Sequence, residues 1–449
     1  MKKLVISALA VLLLGTVGVP AGQATHNADV HSENVELVGN FNDGGEYRQG
    51  SDIAFWGDYV ILGNYNTPGG FRIVDTESLT EVGQFECPGT QADVSVWKHL
   101  VFVSVDGPRS GPECGAPSAT NDQVAAGTAW EGLRIVSIKD PAHPVQIQTV
   151  ATDCGSHTHT LLPDVKRKKH KRLWVYIGSY PLTGHYAENE AGTECNQHGI
   201  ISVIKVPLKH PRKAKVVTEP AVGPAVGCHD ITVLPALKLA AAACITETQM
   251  WDISKPANPV ILSHIEEDQI QIHHSTGFSN DGTTVVISDE LGGAEATPGC
   301  TGGNAPIGAM WFYDVTDPEA PVQKSFWRIP RIETSALCTA HDFNVVPMRT
   351  DQDVLVSAWY NGGTTIVDFT DPAAPTEIGF YNAKEEIITD AWASYFYQGR
   401  IYVNNFDEDL TTSSMSRGMD VLEITDASLV DAVSLKRLNV ATQEFFYAG

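Results

Sequence analysis

The segment GGFRIVDTESLTEVGQF, residues 69–85, recurs with variation along the chain. Later copies include EGLRIVSIKDPAHPVQIQTV from Glu131, TQMWDISKPANPVILSHI from Thr248 and GGTTIVDFTDPAAPTEIGFY from Gly362. Each copy is typical of two strands joined by a turn, because β-branched residues favour strands and proline fixes φ in the turn. The internal repeat predicts a fold built from equivalent β units.

Two further apolar segments joined by a tight turn precede each copy, as in SDIAFWGDYVILGNY, residues 51–65. A complete unit therefore holds four strands within about 50 to 60 residues, and the chain contains seven such units. No unit shows an amphipathic helical period. We expect an all-β fold, a seven-bladed β-propeller of four-stranded antiparallel blades.

To close the ring, a segment near one end of the chain is expected to supply a strand to the last blade. NVELVGNF, residues 34–41, is similar to a fourth strand and precedes the first complete unit, so we expect it to close the last blade. VDAVSLKRL, residues 430–438, is a competing candidate for the same place.

The motifs GGFRIVD, EGLRIVS and GGTTIVDFTDPAAP resemble the LVIVD-repeat family. The resemblance covers nearly the whole chain after the first 24 residues, and it implies a propeller that is exported or held at the cell surface. It implies no particular reaction. The chain differs from the plain repeat in its histidines at the starts of first strands and in its cysteine-bearing insertions.

The N-terminus has the three parts of a secretory signal: Lys2 and Lys3, an apolar run, and small residues up to Ala24. We expect cleavage near Ala24, no later transmembrane segment, and a single propeller domain over residues 25–449 that is secreted or associated with the cell surface. The formal net charge of −24 repels phosphates, which excludes nucleic acid as a partner. An unknown small molecule or an extracellular protein or polymer remains as the partner.

Eight cysteines in an exported chain favour disulfides over a thiolate metal site, and no C-x-x-C spacing is present. Most cysteines lie just before first strands or in the insertions between second and third strands, which predicts bonds between neighbours in the sequence. The expected pairs are Cys87–Cys114, Cys154–Cys195, Cys228–Cys244 and Cys300–Cys338.

Four histidines begin the motif H-x-x-[T/N] at the start of successive units: His157, His229, His273 and His341. In a propeller these positions surround the mouth of the central channel, so the four imidazoles predict a transition-metal site open on one side. Imidazole suits Fe, Cu or Zn better than Mg or Ca. His274 is an alternative to His273, and His159 is an alternative to His157. Histidines that only hydrogen-bond within their own blades are the competing interpretation.

The second strands end in acidic or tyrosine residues around the same mouth: Asp106, Tyr180, Glu247, Asp289 and Glu290. Glu247, Asp289 and Glu290 are the candidate catalytic residues, because a carboxylate beside a metal-bound water can act as general base. No nucleotide cofactor is expected, since the sequence contains no phosphate-binding glycine motif. The sequence predicts a binding or interaction protein with a four-histidine metal site. The alternative is a metal-dependent oxidoreductase or hydrolase that uses this site.

Overall fold

The computed structural model describes residues 31–42, 49–65, 68–164, 170–180, 198–290, 308–330, 338–383, 390–406 and 417–448. Strands dominate these residues. The helical structure among these residues is limited to one short helix and one 3-10 turn. The helix, α1 (Asn121–Ala125), begins at a capping box formed by Thr120 and Gln123, and the 3-10 turn lies at Pro211–Lys213. The predicted all-β class is confirmed.

The strands follow one another in sets of four. The first half of the chain contains β1 (Val35–Phe41), β2 (Gly50–Trp56), β3 (Tyr59–Asn64), β4 (Gly70–Asp75), β5 (Glu81–Phe85), β6 (Val94–Trp97), β7 (Leu100–Arg109), β8 (Trp130–Ser137), β9 (Val145–Ala151), β10 (Thr158–Pro163), β11 (Arg172–Gly178), β12 (Val203–Pro207) and β13 (Lys215–Thr218).

The second half contains β14 (Ile231–Leu234), β15 (Leu239–Ala243), β16 (Thr248–Asp252), β17 (Val260–Ile265), β18 (His273–Phe278), β19 (Thr284–Asp289), β20 (Met310–Asp314), β21 (Val322–Trp327), β22 (Asp342–Val346), β23 (Val354–Ala358), β24 (Thr364–Asp368), β25 (Thr376–Tyr381), β26 (Ala391–Tyr397), β27 (Arg400–Asn405), β28 (Met419–Ile424) and β29 (Arg437–Asn439).

Neighbours in the sequence pair antiparallel within each set, so β6 to β9, β10 to β13, β14 to β17 and β18 to β21 each form a four-stranded sheet. β1 pairs antiparallel with β28, at the outer edge of the set β26 to β28. A short parallel pairing of β22 with β26 joins that set to β22 to β25. Up-and-down connections explain this order, because antiparallel neighbours in a sheet need no crossover.

The first strands of the sets surround a central channel. Each first strand contacts the first strand of the next set, from β2 through β6, β10, β14, β18 and β22 to β26, and β26 in turn contacts β2. The hydrophobic cores lie between adjacent sheets. For example, Tyr176 of β11 packs edge-on against Trp251 of β16, with ring centroids 6.3 Å apart. Burial of these apolar faces holds neighbouring sheets together.

The C-terminal segment crosses the end of the channel that lies away from the starts of the first strands. β29 pairs with β2, and Thr442 Oγ1 donates to the carbonyl oxygen of Leu161 in β10 at 2.6 Å. The Gln443 side chain accepts a hydrogen bond from the backbone N–H of Phe278 in β18 at 2.6 Å. Residues 437–443 therefore tie several inner strands together across the channel.

The disulfides follow the pairing of neighbours along the sequence. Cys87–Cys114 and Cys228–Cys244 are both present, so these two predictions are confirmed. Cys154 and Cys338 are also disulfide-bonded, and their predicted partners, Cys195 and Cys300, lie outside the described residues. In the described parts of the chain, no cysteine is free, and no helix is long and apolar enough to span a bilayer.

Candidate metal centre

Four buried imidazoles meet in an arc at one end of the channel. His157 Nε2 lies 3.0 Å from His229 Nε2. The ring centroids of His229 and His274 are 3.8 Å apart, and those of His274 and His341 are 4.4 Å apart. Each residue lies at or just before the start of a first strand, so consecutive sheets contribute one imidazole each.

The structure brings together three of the four histidines predicted from the sequence, and His274 takes the place of His273. In β18, His273 pairs with Asp289 and Thr276 pairs with Ile287, so two residues of β18 stand opposite one residue of β19. Such a β-bulge reverses which face the following side chains occupy. The His273 side chain consequently turns away from the arc toward the neighbouring sheet, with Nδ1 2.9 Å from Thr248 Oγ1 in β16.

His159, the alternative to His157, lies away from the arc. Its Nε2 is 2.6 Å from Ser95 Oγ, and its Nδ1 is 2.8 Å from Ser104 Oγ. Burial lowers its pKa to about 3, so the ring is neutral and serves as a hydrogen-bonded link between two sheets. His157 itself occupies the predicted place at the channel mouth.

Oxygen atoms hold Nδ1 of three histidines in the arc. His157 Nδ1 donates to Asp106 Oδ2 at 2.6 Å, and His341 Nδ1 donates to the carbonyl oxygen of Trp392 at 2.6 Å. His274 Nδ1 lies 2.9 Å from Ser275 Oγ. In a neutral imidazole with a proton on Nδ1, Nε2 carries a free lone pair. This arrangement is the usual one for histidines that bind a metal through Nε2.

A layer of carboxylates lies directly beneath the imidazoles. Ser275 Oγ contacts Asp230 Oδ2 at 2.5 Å and Asp342 Oδ1 at 2.9 Å, so the hydroxyl bridges the two side chains. Asp230 Oδ1 is 3.4 Å from His229 Nδ1, and Asp342 Oδ2 is 3.6 Å from His341 Nδ1. Burial, together with the charge of Asp230, raises the pKa of Asp342 well above its usual value. The layer therefore supports the imidazole rings from below.

Glu290 and two tyrosines border the outer side of the arc. Glu290 Oε2 is 3.5 Å from His274 Nε2, and Glu290 Oε1 is 3.9 Å from His341 Nε2. Tyr360 donates its hydroxyl to Glu290 Oε1 at 2.7 Å, and the Tyr180 hydroxyl lies 3.4 Å from His157 Nε2. Glu290 and Tyr180 remain partly exposed, so solvent reaches this side of the site.

Three histidines of the arc have pKa values shifted by burial or by neighbouring charge. Burial lowers the pKa of His341 to about 4 and that of His274 well below its usual value. Burial also acts to lower the pKa of His157, but the hydrogen bond and charge of Asp106 outweigh it, and the pKa is raised. His274 and His341 are therefore neutral at pH 7, which is the form that binds metals.

The structure separates the three candidate catalytic carboxylates. Glu290 is part of the site. Asp289 instead accepts hydrogen bonds from the backbone N–H groups of Gln271 and Ile272, both at 3.0 Å, and so anchors a loop. Glu247 accepts from the side chains of Gln249 and His264, at 2.5 and 3.0 Å. Asp289 and Glu247 thus have structural hydrogen bonds and do not contact the arc.

Two groups of side chains at the arc offer ligand atoms within 4.8 Å of one another: His229 with Asp230 and His274, and His274 with Glu290 and His341. A third group elsewhere contains Asp153, Cys154 and His198. Cys154 is disulfide-bonded and cannot supply a thiolate, while His198 Nδ1 is already held by Asp153 at 2.6 Å. Among the described residues, the arc is the place best suited to a transition metal.

Sequence reasoning missed the roles of Tyr360, Trp392 and Ser275. Tyr360 follows a second strand by two positions, as Tyr180 does, and this shared position is a signal that could have identified it. Ser275 had no comparable signal, because only the β-bulge in β18 reveals which side chains of the His-His-Ser run reach the channel.

The sheet arrangement and the ring of first strands define a β-propeller with histidines at the mouth of its channel. Residues 356–383, which include β24 and β25, match the model of the LVIVD repeat. This match confirms the resemblance to the LVIVD-repeat family that the sequence predicts. No protein of curated function matches the sequence significantly.

Solved structures share the fold at low sequence identity. A chain of Kuenenia stuttgartiensis hydrazine synthase aligns with a TM-score of 0.55 and 9% identity, covering 85% of this chain and 97% of that one. The β-propeller domain of Myceliophteria thermophila Cps50 (Swd1) aligns with a TM-score of 0.50 and 9% identity, covering 87% of this chain and all of that one. These similarities describe the fold alone.

Proposed function

We propose that this protein is a secreted, seven-bladed β-propeller whose function depends on one transition-metal ion, bound by His157, His229, His274 and His341 at the mouth of the channel. The observation that carries the proposal is the orientation of the imidazoles. Oxygen atoms hold Nδ1 of His157, His274 and His341, so the Nε2 lone pairs are left to bind a metal ion. His341 Nε2 is buried and has no hydrogen-bond partner.

The spacing of His157 and His229 supports the same proposal. Their Nε2 atoms are 3.0 Å apart, and two facing lone pairs at that distance would repel unless a proton or a metal ion lies between them. With metal–nitrogen bonds of about 2.05 Å, this spacing corresponds to an N–M–N angle of about 94°. Adjacent ligands at that angle suit five- or six-coordinate Fe or Cu better than tetrahedral Zn.

The sequence and the topology together support seven blades and export as parts of this proposal. Counting β22 to β25 and β26 to β28 with β1 as separate blades gives seven units around the channel. The signal sequence in residues 1–24 and the disulfides support an oxidising compartment outside the cytoplasm. The propeller domain would then span residues 25–449, with β1 completing the last blade.

A binding protein is the function that the site supports best, because the imidazoles are buried and well held. A metal-dependent enzyme, either an oxidoreductase or a hydrolase, is the second candidate, and Glu290 favours it. This carboxylate lies 3.5 Å from His274 Nε2 on the solvent-facing side and is oriented by Tyr360. A water bound to the metal there would lie within reach of a general base.

Elemental analysis of protein purified without a His tag tests the proposal. After incubation with Fe, Cu, Zn or Ni salts and removal of excess metal, we expect one equivalent of metal in the wild type and a strong loss in His229→Ala and His341→Ala. His99→Ala is the control, since His99 lies in the turn after β6. Absence of stoichiometric metal from the wild type, or an equal loss in the control, would contradict the proposal.

A further inference from the structure

An aromatic wall stands on one side of the channel mouth. Tyr65 and Phe406 follow the second strands β3 and β27 directly, and Trp392 lies near the start of β26. Ring centroids are 5.5 Å apart for Tyr65–Trp392, 5.5 Å for Tyr65–Phe406 and 4.9 Å for Trp392–Phe406. Tyr65 and Phe406 remain partly exposed, so the wall presents aromatic surface to solvent.

The aromatic wall adjoins the imidazoles. The ring centroids of Trp392 and His341 are 4.5 Å apart, and those of Tyr360 and His341 are 4.7 Å apart. Tyr65 adjoins the site through Trp392, whose ring lies beside those of both Tyr65 and His341.

The facing side of the mouth is polar. It consists of the Tyr180 hydroxyl beside His157, together with the carboxylates of Asp106 and Glu290. A molecule held between the two sides therefore contacts aromatic rings on one side and hydrogen-bonding groups on the other. The two carboxylates disfavour a negatively charged ligand, because like charges at short range repel.

We infer that the mouth binds a small phenol: one aromatic ring packed against Tyr65, Trp392 and Phe406, with one hydroxyl directed at Tyr180, Glu290 and the metal position. Aromatic rings pack edge to face or offset against other rings, which favours an aromatic ligand over a saturated one of the same shape. This inference names the ligand class of the site described under the proposed function and so rests on that function. The aromatic wall itself is formed by the chain without a metal.

The test compares three ligands of matched size, p-cresol, 4-methylcyclohexanol and 4-methylbenzoate, titrated into metal-loaded and metal-free protein by calorimetry or ligand-observed NMR. We expect p-cresol to bind about tenfold or more tightly than either comparator. Tyr65→Leu and Phe406→Leu should each weaken p-cresol binding about three- to tenfold, in line with the energy of one aromatic contact. Tyr65→Phe should change it less than about twofold, since it keeps the ring.

Tyr447→Leu is the matched control, because Tyr447 lies in the C-terminal segment at the other end of the channel, where its backbone N–H donates to the carbonyl oxygen of Asn280. Far-ultraviolet circular dichroism verifies folding of every variant, and Phe406→Leu replaces Tyr65→Leu if the latter unfolds. Equal binding of 4-methylcyclohexanol, tighter binding of 4-methylbenzoate, no binding of p-cresol, or unchanged binding in both leucine variants would overturn the inference.

Measuring the metal content of the same samples distinguishes failure of the phenol-binding inference from failure of the proposed metal centre. Preference for p-cresol in protein that takes up no metal would contradict the proposed function and leave the aromatic site standing. Stoichiometric metal without any preference for p-cresol would overturn the aromatic site and leave the metal centre standing.

Discussion

His273 and His274 are adjacent in the sequence but point to different environments, which makes them a sharp test of the metal centre. His274 lies in the arc between His229 and His341. His273 is fully buried against the neighbouring sheet, beside Thr248 of β16. His274→Ala should abolish tight metal binding, whereas His273→Ala should leave it intact.

The size of the expected losses in metal affinity and in stability follows from the contacts of the two histidines. Loss of a group that only orients a metal ligand typically lowers affinity about 10- to 100-fold, so loss of the ligand itself should exceed about 100-fold, or about 2.7 kcal/mol. His273→Ala should change affinity less than about threefold. Both changes remove a buried imidazole and should lower the free energy of unfolding of the metal-free protein by about 2 to 4 kcal/mol.

Competition with a chromophoric chelator measures metal affinity, and urea unfolding of metal-free protein measures stability. The two variants should resemble each other in stability and differ in affinity by about two orders of magnitude. Equal metal affinity in both folded variants, or a greater loss in His273→Ala, would contradict the assignment of His274 to the metal centre.

Three further outcomes are expected. Asp106→Asn should weaken metal binding about 10- to 100-fold without loss of fold, because His157 loses a carboxylate partner at 2.6 Å; unchanged affinity in the chelator competition would contradict this. Replacing both Cys228 and Cys244 by Ser opens a bond between residues 16 positions apart and should lower the free energy of unfolding by about 3 kcal/mol, checked by urea denaturation under nonreducing conditions. Burial raises the pKa of Asp353 to about 6, so the folded protein favours the protonated Asp353 carboxyl. The stability that this protonation contributes is complete below the unfolded pKa near 3.8 and is lost as the pH rises through about 6. Asp353→Asn should therefore raise the melting temperature at pH 8 and leave it nearly unchanged at pH 4, and equal shifts at both values would exclude this explanation.

The repeat made much of the architecture predictable. Motifs such as GGFRIVD combine a strand pattern with a turn signal, and their recurrence indicates equivalent sheets without any knowledge of long-range contacts. The disulfides Cys87–Cys114 and Cys228–Cys244 followed from the positions of the cysteines within the repeat. The path of residues 437–443 across the channel was not predictable, because hydrogen bonds from Thr442 and Gln443 leave no periodic pattern.

The channel mouth was predictable in position and less so in detail. The shared register of His157, His229 and His341 placed three imidazoles correctly, since strand alternation fixes which side chains reach the channel. In β18 a single extra residue reversed that alternation and exchanged His273 for His274. Contacts between distant segments, such as His157 with Asp106 across 51 positions of sequence, lay beyond any local pattern.

Anomalous X-ray diffraction from crystals of the metal-loaded wild-type protein locates the bound metal directly. We expect one strong anomalous peak at the channel mouth, about 2.0 to 2.3 Å from the Nε2 atoms of His157, His229, His274 and His341. No peak at the mouth in crystals whose protein contains stoichiometric metal, or a peak bound through His273 instead of His274, would contradict it.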